Sequence, residues 1–216
     1  MRTDAPNWLS RFYPIVPDSA WLARVLPLGV ETVQLRIKDM PADLRRRDIV
    51  TGVEIARRHR AQLIVNDYWQ DAMDAGADFV HLGQEDLAGA DVKSLKRRAI
   101  RLGISTHSPE ELEIALREEP DYVALGPIYE TRLKAMPWTP QGLSRIADWK
   151  RRIGGLPLVA IGGITPDRAP EVLAAGAQSV AVITDFMSAA SPEDRIATWV
   201  QWANISEDVA SKPGLG

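Results

Sequence analysis

Cysteine is absent from all 216 residues, which excludes disulfides, thiolate zinc sites, iron-sulfur clusters and cysteine nucleophiles before any motif is read. Redox logic therefore leaves the compartment open. Basic runs are also scarce: none is longer than Arg45-Arg46-Arg47, and 26 lysines and arginines stand against 29 acids for a formal charge of -3. That balance offers no footprint for extended nucleic acid or an anionic membrane surface, so an anionic ligand must be small and locally held. No apolar run approaches the roughly 20 residues needed to span a bilayer. The opening MRTDAPNWLSRFYP has no apolar core behind its positive charge. A cytoplasmic protein without nucleic-acid or membrane partners is the expectation.

What is present is an ordinary globular composition, 45% hydrophobic and 25% charged. One domain over residues 1–216 is expected, its core running from about residue 11 to 204 and a polar, frayed tail following over 205–216. Short apolar runs alternate with segments of helical period. The strand candidates are Phe12–Val16, Val33–Leu35, Leu63–Val65, Phe79–Leu82, Leu102–Ile104, Tyr122–Leu125, Leu158–Ile161 and Ser179–Ile183. Helices are expected at Ala20–Leu28, Leu44–Arg58, Trp69–Ala75, Val92–Ala99, Pro109–Arg117, Gly142–Ile153, Pro166–Ala175 and Pro192–Trp202. Eight strand-helix units in a chain of this size indicate an α/β fold, a single-domain (β/α)8 TIM barrel, before an open doubly wound sheet. Small-residue turns such as DAGADFVHL and LAAGAQSVAVI place a glycine at the helix C-terminus just ahead of the next strand.

In such a barrel the chemistry lies at the C-terminal strand ends, and polar residues crowd there. Gln34, Arg36 and Lys38 alternate with period two and so face the barrel mouth together; two adjacent cations suit a polyanion. A strand-end salt bridge from Arg36 to Asp39 or Glu31 is the bland alternative. Asp67 and Asp86 end adjacent strands, with no soft ligand beside them, which favours magnesium held by carboxylates and substrate phosphate oxygens. Their alternative role is as helix N-caps. AIGGITPDRA turns from a buried strand through Gly162-Gly163 into a helix start marked by Thr165 and Pro166, a phosphate cradle at strand seven unless it is only a tight turn. His59 reads as solvated surface, and His81 and His107 as packing residues, with His81 kept as a substrate contact. The tryptophans, Trp69 and Trp138 among them, read as packing, since no basic groove accompanies them.

The segments QLRIKD, VNDYWQDAM, VHLGQEDL, GISTHS, LGPIYETRLK, PQGL and AIGGI, in this order between FYPIVPD and VAVIT, together resemble the thiamine-phosphate synthase family over nearly the whole chain. The resemblance implies a transferase that condenses a pyrimidine diphosphate with a thiazole phosphate. It implies a pyrimidine diphosphate site of Gln34, Leu35, Arg36, Ile37 and Lys38 with Asn66, Ser105 and Lys134, and magnesium on Asp67 and Asp86. The thiazole phosphate would rest on Thr131, Arg132 and Leu133, on Gly162 and Gly163, and on the Ile183-Thr184 backbone. Arg36, Lys38, Lys134 and Ser105 would act on the reacting groups. Two departures stand out. Leu133 replaces a second threonine, removing a hydroxyl donor, and Asp185 replaces a small neutral residue, bringing a carboxylate near the phosphate unless it points to solvent. Members often self-associate, so a homo-oligomer is an open expectation. The competing readings are a thiazole tautomerase-like paralogue, which would have no use for the diphosphate and metal residues, and a non-catalytic phosphate-ligand sensor on the same barrel.

Overall fold

In the computed structural model, residues 8–131 and 139–211 are described, with 205–211 by backbone alone. Eight parallel strands pair in sequence order and close: β1 Phe12–Val16, β2 Thr32–Leu35, β3 Gln62–Asn66, β4 Phe79–Leu82, β5 Arg101–Thr106, β6 Tyr122–Leu125, β7 Leu158–Ile161 and β8 Ser179–Val182, with β8 back on β1. This is the single-domain TIM-barrel architecture expected. The helices are α1 Ser19–Val25, α2 Ala42–His59, α3 Trp69–Asp74, α4 Gln84–Leu87, α5 Val92–Arg97, α6 Pro109–Arg117, α7 Gly142–Ile153, α8 Ala169–Ala174, α9 Thr184–Met187 and α10 Pro192–Ser211. None of the described helices is long and apolar enough to cross a membrane.

Covering both faces of the sheet makes the strands continuously apolar, as in the fully buried FYPIV of β1. Two cores result. Outside the strands, a large aliphatic layer joins them to the helices, anchored by Trp149 and Trp199. Inside the barrel lie Tyr13, Ile15, Ile64, Phe79, Tyr122, Ala124, Val159 and Ala181. Trp8 and Leu9 pack against this inner group, Trp8 lying 5.4 Å from the Phe79 ring with the Arg101 guanidinium over it at 4.8 Å. Phe79 and Arg101 begin their strands, so the N-terminal end of the barrel is closed by an apolar plug and only the C-terminal end is open to polar groups.

Several boundaries moved for identifiable reasons. Pro27 has no N–H to continue α1, so residues Leu26–Leu28 tighten to a 3-10 turn that ends at Gly29 with φ +92°. The helix expected from Pro166 starts at Ala169 instead, because Pro170 is tolerated in a first turn and not in a helix interior; 166–168 form a turn. The last helix extends to Ser211, past the expected Trp202. Helices α4 and α9, four residues each, were not expected, being too short to show a period.

Glycine 103 sets the inner core. A Cβ there would lie 2.2 Å from Tyr122 Cζ, so the tyrosine ring can cross β5 only over a residue without a side chain. Gly103→Ala should therefore lower the stability by about 1–3 kcal/mol through overpacking. Urea unfolding measures this, and an unchanged midpoint would show that the ring relocates freely.

Candidate active site

The open end of the barrel holds a cavity of about 560 Å³, within the range of small-molecule sites. Its floor is apolar, with Ile15, Ala124, Ile161 and Ala181, and polar groups ring the wall. Of the expected residues, Gln34, Arg36, Asn66, Ser105, Thr131, Gly162, Gly163, Ile183 and Thr184 all line it. Leu35 and Ile37, on the opposite parity of the same strand, are buried in the outer core and can offer the cavity only backbone. Arg132, Leu133 and Lys134 lie outside the described residues.

Arg36 follows β2 with its N–H on Val16 O at 2.8 Å and enters the cavity. The salt bridge considered for it does not form to Glu31, which accepts from Ser10 Oγ instead. Lys38 Nζ lies 3.5 Å from Asp67 Oδ2. Asp67 itself adopts φ +65°, an unusual backbone for a residue with a side chain, fixed by its N–H on His81 O at 2.9 Å and by Trp69 N–H on its own carbonyl at 2.8 Å. The carboxyl is held above the usual carboxylate range by burial and then by the Asp86 charge beside it, with Lys38 and Arg36 pulling the other way.

Neither aspartate is a helix cap: α3 and α4 are preceded by Tyr68 and Gly83 without a side-chain cap bond, and Asp86 lies inside α4. The two carboxylates crowded together are hard oxygen donors of the kind a divalent cation satisfies. Among the described residues no group of three or more acids, histidines or cysteines forms a closed metal site.

Behind the wall runs a buried hydrogen-bonded chain that the sequence did not reveal. Tyr13 Oη lies 3.4 Å from Tyr122 Oη, which is 2.7 Å from His81 Nδ1; His81 Nε2 is 2.7 Å from Ser105 Oγ. Burial, with the nearby Arg36 charge, pushes the His81 pKa down to about 3, so the ring is neutral. A neutral ring donates from one nitrogen and accepts at the other, so the polarity of the tyrosine pair fixes that of the Ser105 hydroxyl. The inward parity of Tyr13 and Tyr122 was the available signal. His107 also lines the cavity, its Nδ1 2.9 Å from Glu111 Oε2, while His59 is exposed on α2 as expected.

On the far wall, Gly162 and Gly163 turn with φ +104° and +65°, and a Cβ on either would lie 2.5–2.6 Å from the loop after β6. Ile128 and Tyr129 N–H groups bond Ile161 O and Gly162 O at 2.9 and 3.0 Å, extending the β6–β7 ladder to the rim. Asp185 does not point to solvent. Its carboxylate takes two bonds from Arg195, at 2.7 and 2.8 Å, and one from Trp199 Nε1 at 2.8 Å. The Asp185 charge beside the glycine turn's side of the cavity is thereby matched within the protein.

A family profile described as thiamine monophosphate synthase matches residues 13–186. The chain belongs to this family. It is 53% identical over 192 residues to the thiamine-phosphate synthase of Rhizobium etli, covering 89% of this chain and 94% of that one. Identity to the thiamine-phosphate synthase of Salmonella paratyphi B is 42%, covering 91% and 93%. Among solved structures, the thiamine phosphate pyrophosphorylase of Pyrococcus furiosus superposes with a TM-score of 0.78 at 27% identity, over 90% of this chain and 96% of that one.

Two consequences are measurable. Asp185→Ala should lower stability by about 1–3 kcal/mol by stranding Arg195 and Trp199. Adding Arg195→Met should lower it by less than the sum of the two single changes; strict additivity in urea unfolding would mean the pair is not coupled. His81 takes up a proton near 6.5 when unfolded but only near 3 in the fold, so the unfolded chain binds more protons below 6.5 and stability drops as pH falls through that window. From pH 7 to 5 the unfolding midpoint should drop more steeply for the wild type than for His81→Gln. Parallel slopes would remove His81 as the cause.

Proposed function

We propose that the chain condenses 4-amino-2-methyl-5-(diphosphomethyl)pyrimidine with 4-methyl-5-(2-phosphoethyl)thiazole, or its carboxylate, to give thiamine phosphate and pyrophosphate, with carbon dioxide also released when the carboxylate is the substrate. The observation that carries this reading is a single cavity with two unlike sides: Gln34, Arg36, Asn66 and Ser105 on one, with Lys38 and the Asp67–Asp86 pair beside Arg36 though not in the lining, and the glycine turn after β7 on the other. Membership of the synthase family supports it.

The thiazole nitrogen attacks with its own lone pair, so the reaction needs no general base. The C–O bond between the pyrimidine methylene and the diphosphate breaks, its electron pair leaves with pyrophosphate, and the new C–N bond creates the thiazolium. The difficult step is loss of pyrophosphate, assisted by electron donation from the aminopyrimidine. Arg36, Lys38 and Lys134 would face the charge growing on the leaving group, and Asn66 and Ser105 would orient the pyrimidine diphosphate. Asp67 and Asp86 would hold a magnesium ion, which when bound supplies Lewis-acid stabilisation to diphosphate oxygens. The apolar floor of Ile15, Ala124, Ile161 and Ala181 gives the rings a surface from which water is displaced before it can trap a cationic methylene.

The purified protein should form thiamine phosphate, followed by oxidation to its fluorescent product, and lose this activity with chelator. Asp67→Asn should reduce turnover on the order of 100 to 1,000-fold, as should Lys38→Met. Asparagine tolerates the positive φ and removes the repulsion from Asp86, so the metal-free variant should be at least as stable as the wild type. Wild-type rates in both variants would refute the assignment of the diphosphate wall. Tight thiazole phosphate binding by a wild type that makes no product would favour a sensor or tautomerase.

A further inference from the structure

Arg168 follows the glycine turn and has no part in the reaction as described above. Its Nη1 donates to Gly163 O at 2.7 Å, and its guanidinium lies over the Tyr129 ring at 4.5 Å. Tyr129 is held in turn by its hydroxyl on Glu171 Oε1 at 2.5 Å. An exposed arginine is thus fixed from two sides against the turn, and it lines the cavity. A guanidinium has five N–H donors, and among the described residues only the bond to Gly163 O is made.

The charges of that wall give the group a task. Asp185 is matched by Arg195 and Trp199. Glu130 adds a second carboxylate to the cavity lining. Arg36, the other arginine of the described lining, follows β2, with β1 and β8 between β2 and β7, and its charge acts on Asp67 and His81. Without Arg168, a phosphate monoester on the glycine turn would meet, among the described residues, neutral backbone, the hydroxyl-bearing Thr131 and Thr184, the compensated Asp185 and Glu130, for which no ion pair is seen.

Resting on the condensation reading, we infer that Arg168 is the cationic partner of the phosphate monoester on the second substrate and sets selectivity for the phosphorylated thiazole. The guanidinium fork suits phosphate, and its bond to Gly163 O places it beside the amides that would cradle the same group.

The test compares the wild type, Arg168→Lys and Arg168→Met in steady state. Arg168→Met should raise KM for the thiazole phosphate about tenfold or more, the loss expected for one charge-assisted hydrogen bond. The KM for the pyrimidine diphosphate should not change, and kcat should move by less than about threefold. Arg168→Lys keeps the charge without the fork and should recover most of the lost KM. An unchanged KM in Arg168→Met overturns the inference. So does an equal rise in both variants, which would mean that the side chain only shapes the glycine turn. If the wild type forms no thiamine phosphate, the condensation reading fails separately; calorimetric binding of thiazole phosphate to the same three proteins then decides the role of Arg168 by the same pattern.

Discussion

Closing eight parallel strands into a barrel leaves each side chain only two directions, into the lumen or out towards the helices, and everything at the site follows from that restriction. The lumen must be filled, and Tyr13, Phe79 and Tyr122 fill it while Trp8 and Leu9 close its lower end. Polar side chains can then be hydrated or bind ligands only at the C-terminal rim. Along the second strand the same parity sends Gln34 and Arg36 to the cavity and Leu35 and Ile37 to the outer core. The alternation that builds the core also selects which residues can meet a substrate.

The rim is not arranged for maximal stability of the free protein. Asp67 sits in a left-handed backbone conformation, partly buried, next to the Asp86 charge, and its carboxyl is pushed towards protonation. Each feature costs free energy in the fold alone. On the reading proposed above, a divalent cation shared by the two carboxylates, or a diphosphate drawing Lys38 and Arg36 into its own contacts, would change that balance. His81 shows the complementary strategy: burial keeps it neutral near 7, so it passes hydrogen-bond polarity from the tyrosines to Ser105 without adding charge to a wall that already has two cations.

Legibility in the sequence divides along physical lines. The limits of β1, β4, β6 and β7 coincide with their apolar runs because both faces are covered and the runs stop where burial stops. Strands β3 and β5 run further than expected, to Asn66 and Thr106, because both ends are polar and break the apolar signal: Asn66 lines the cavity, while Thr106 is buried with its hydroxyl on Ala124 O and under the Trp149 indole N–H. Rim residues could be named from position alone, since a polar side chain at a strand end has few structural reasons to be there. Their partners could not. The tie from Asp185 spans ten residues to Arg195 and fourteen to Trp199, and becomes visible only when α9 and α10 pack together. Arg168 looks like any surface arginine until Tyr129, 39 positions earlier, is found beneath it.

The Asp185 cluster changes the meaning of a carboxylate at a wall proposed to take a phosphate. An unpaired acid there would oppose an anionic ligand, and Coulomb repulsion in the partly screened rim falls slowly over a few ångströms. Bidentate pairing with Arg195 converts the acid into one end of a dipole, and the Trp199 indole N–H takes up further lone-pair capacity on the same oxygen. The indole belongs to the ring stacked on Phe12 at 4.9 Å, so the neutralised acid is also a rivet between the last helix and the first strand. A chain that uses Asp185 this way cannot exchange it for a small neutral residue without stranding the Arg195 guanidinium and the Trp199 indole N–H. With Asp185 engaged by Arg195, the cation that borders the glycine turn among the described residues is Arg168, bonded to Gly163 O.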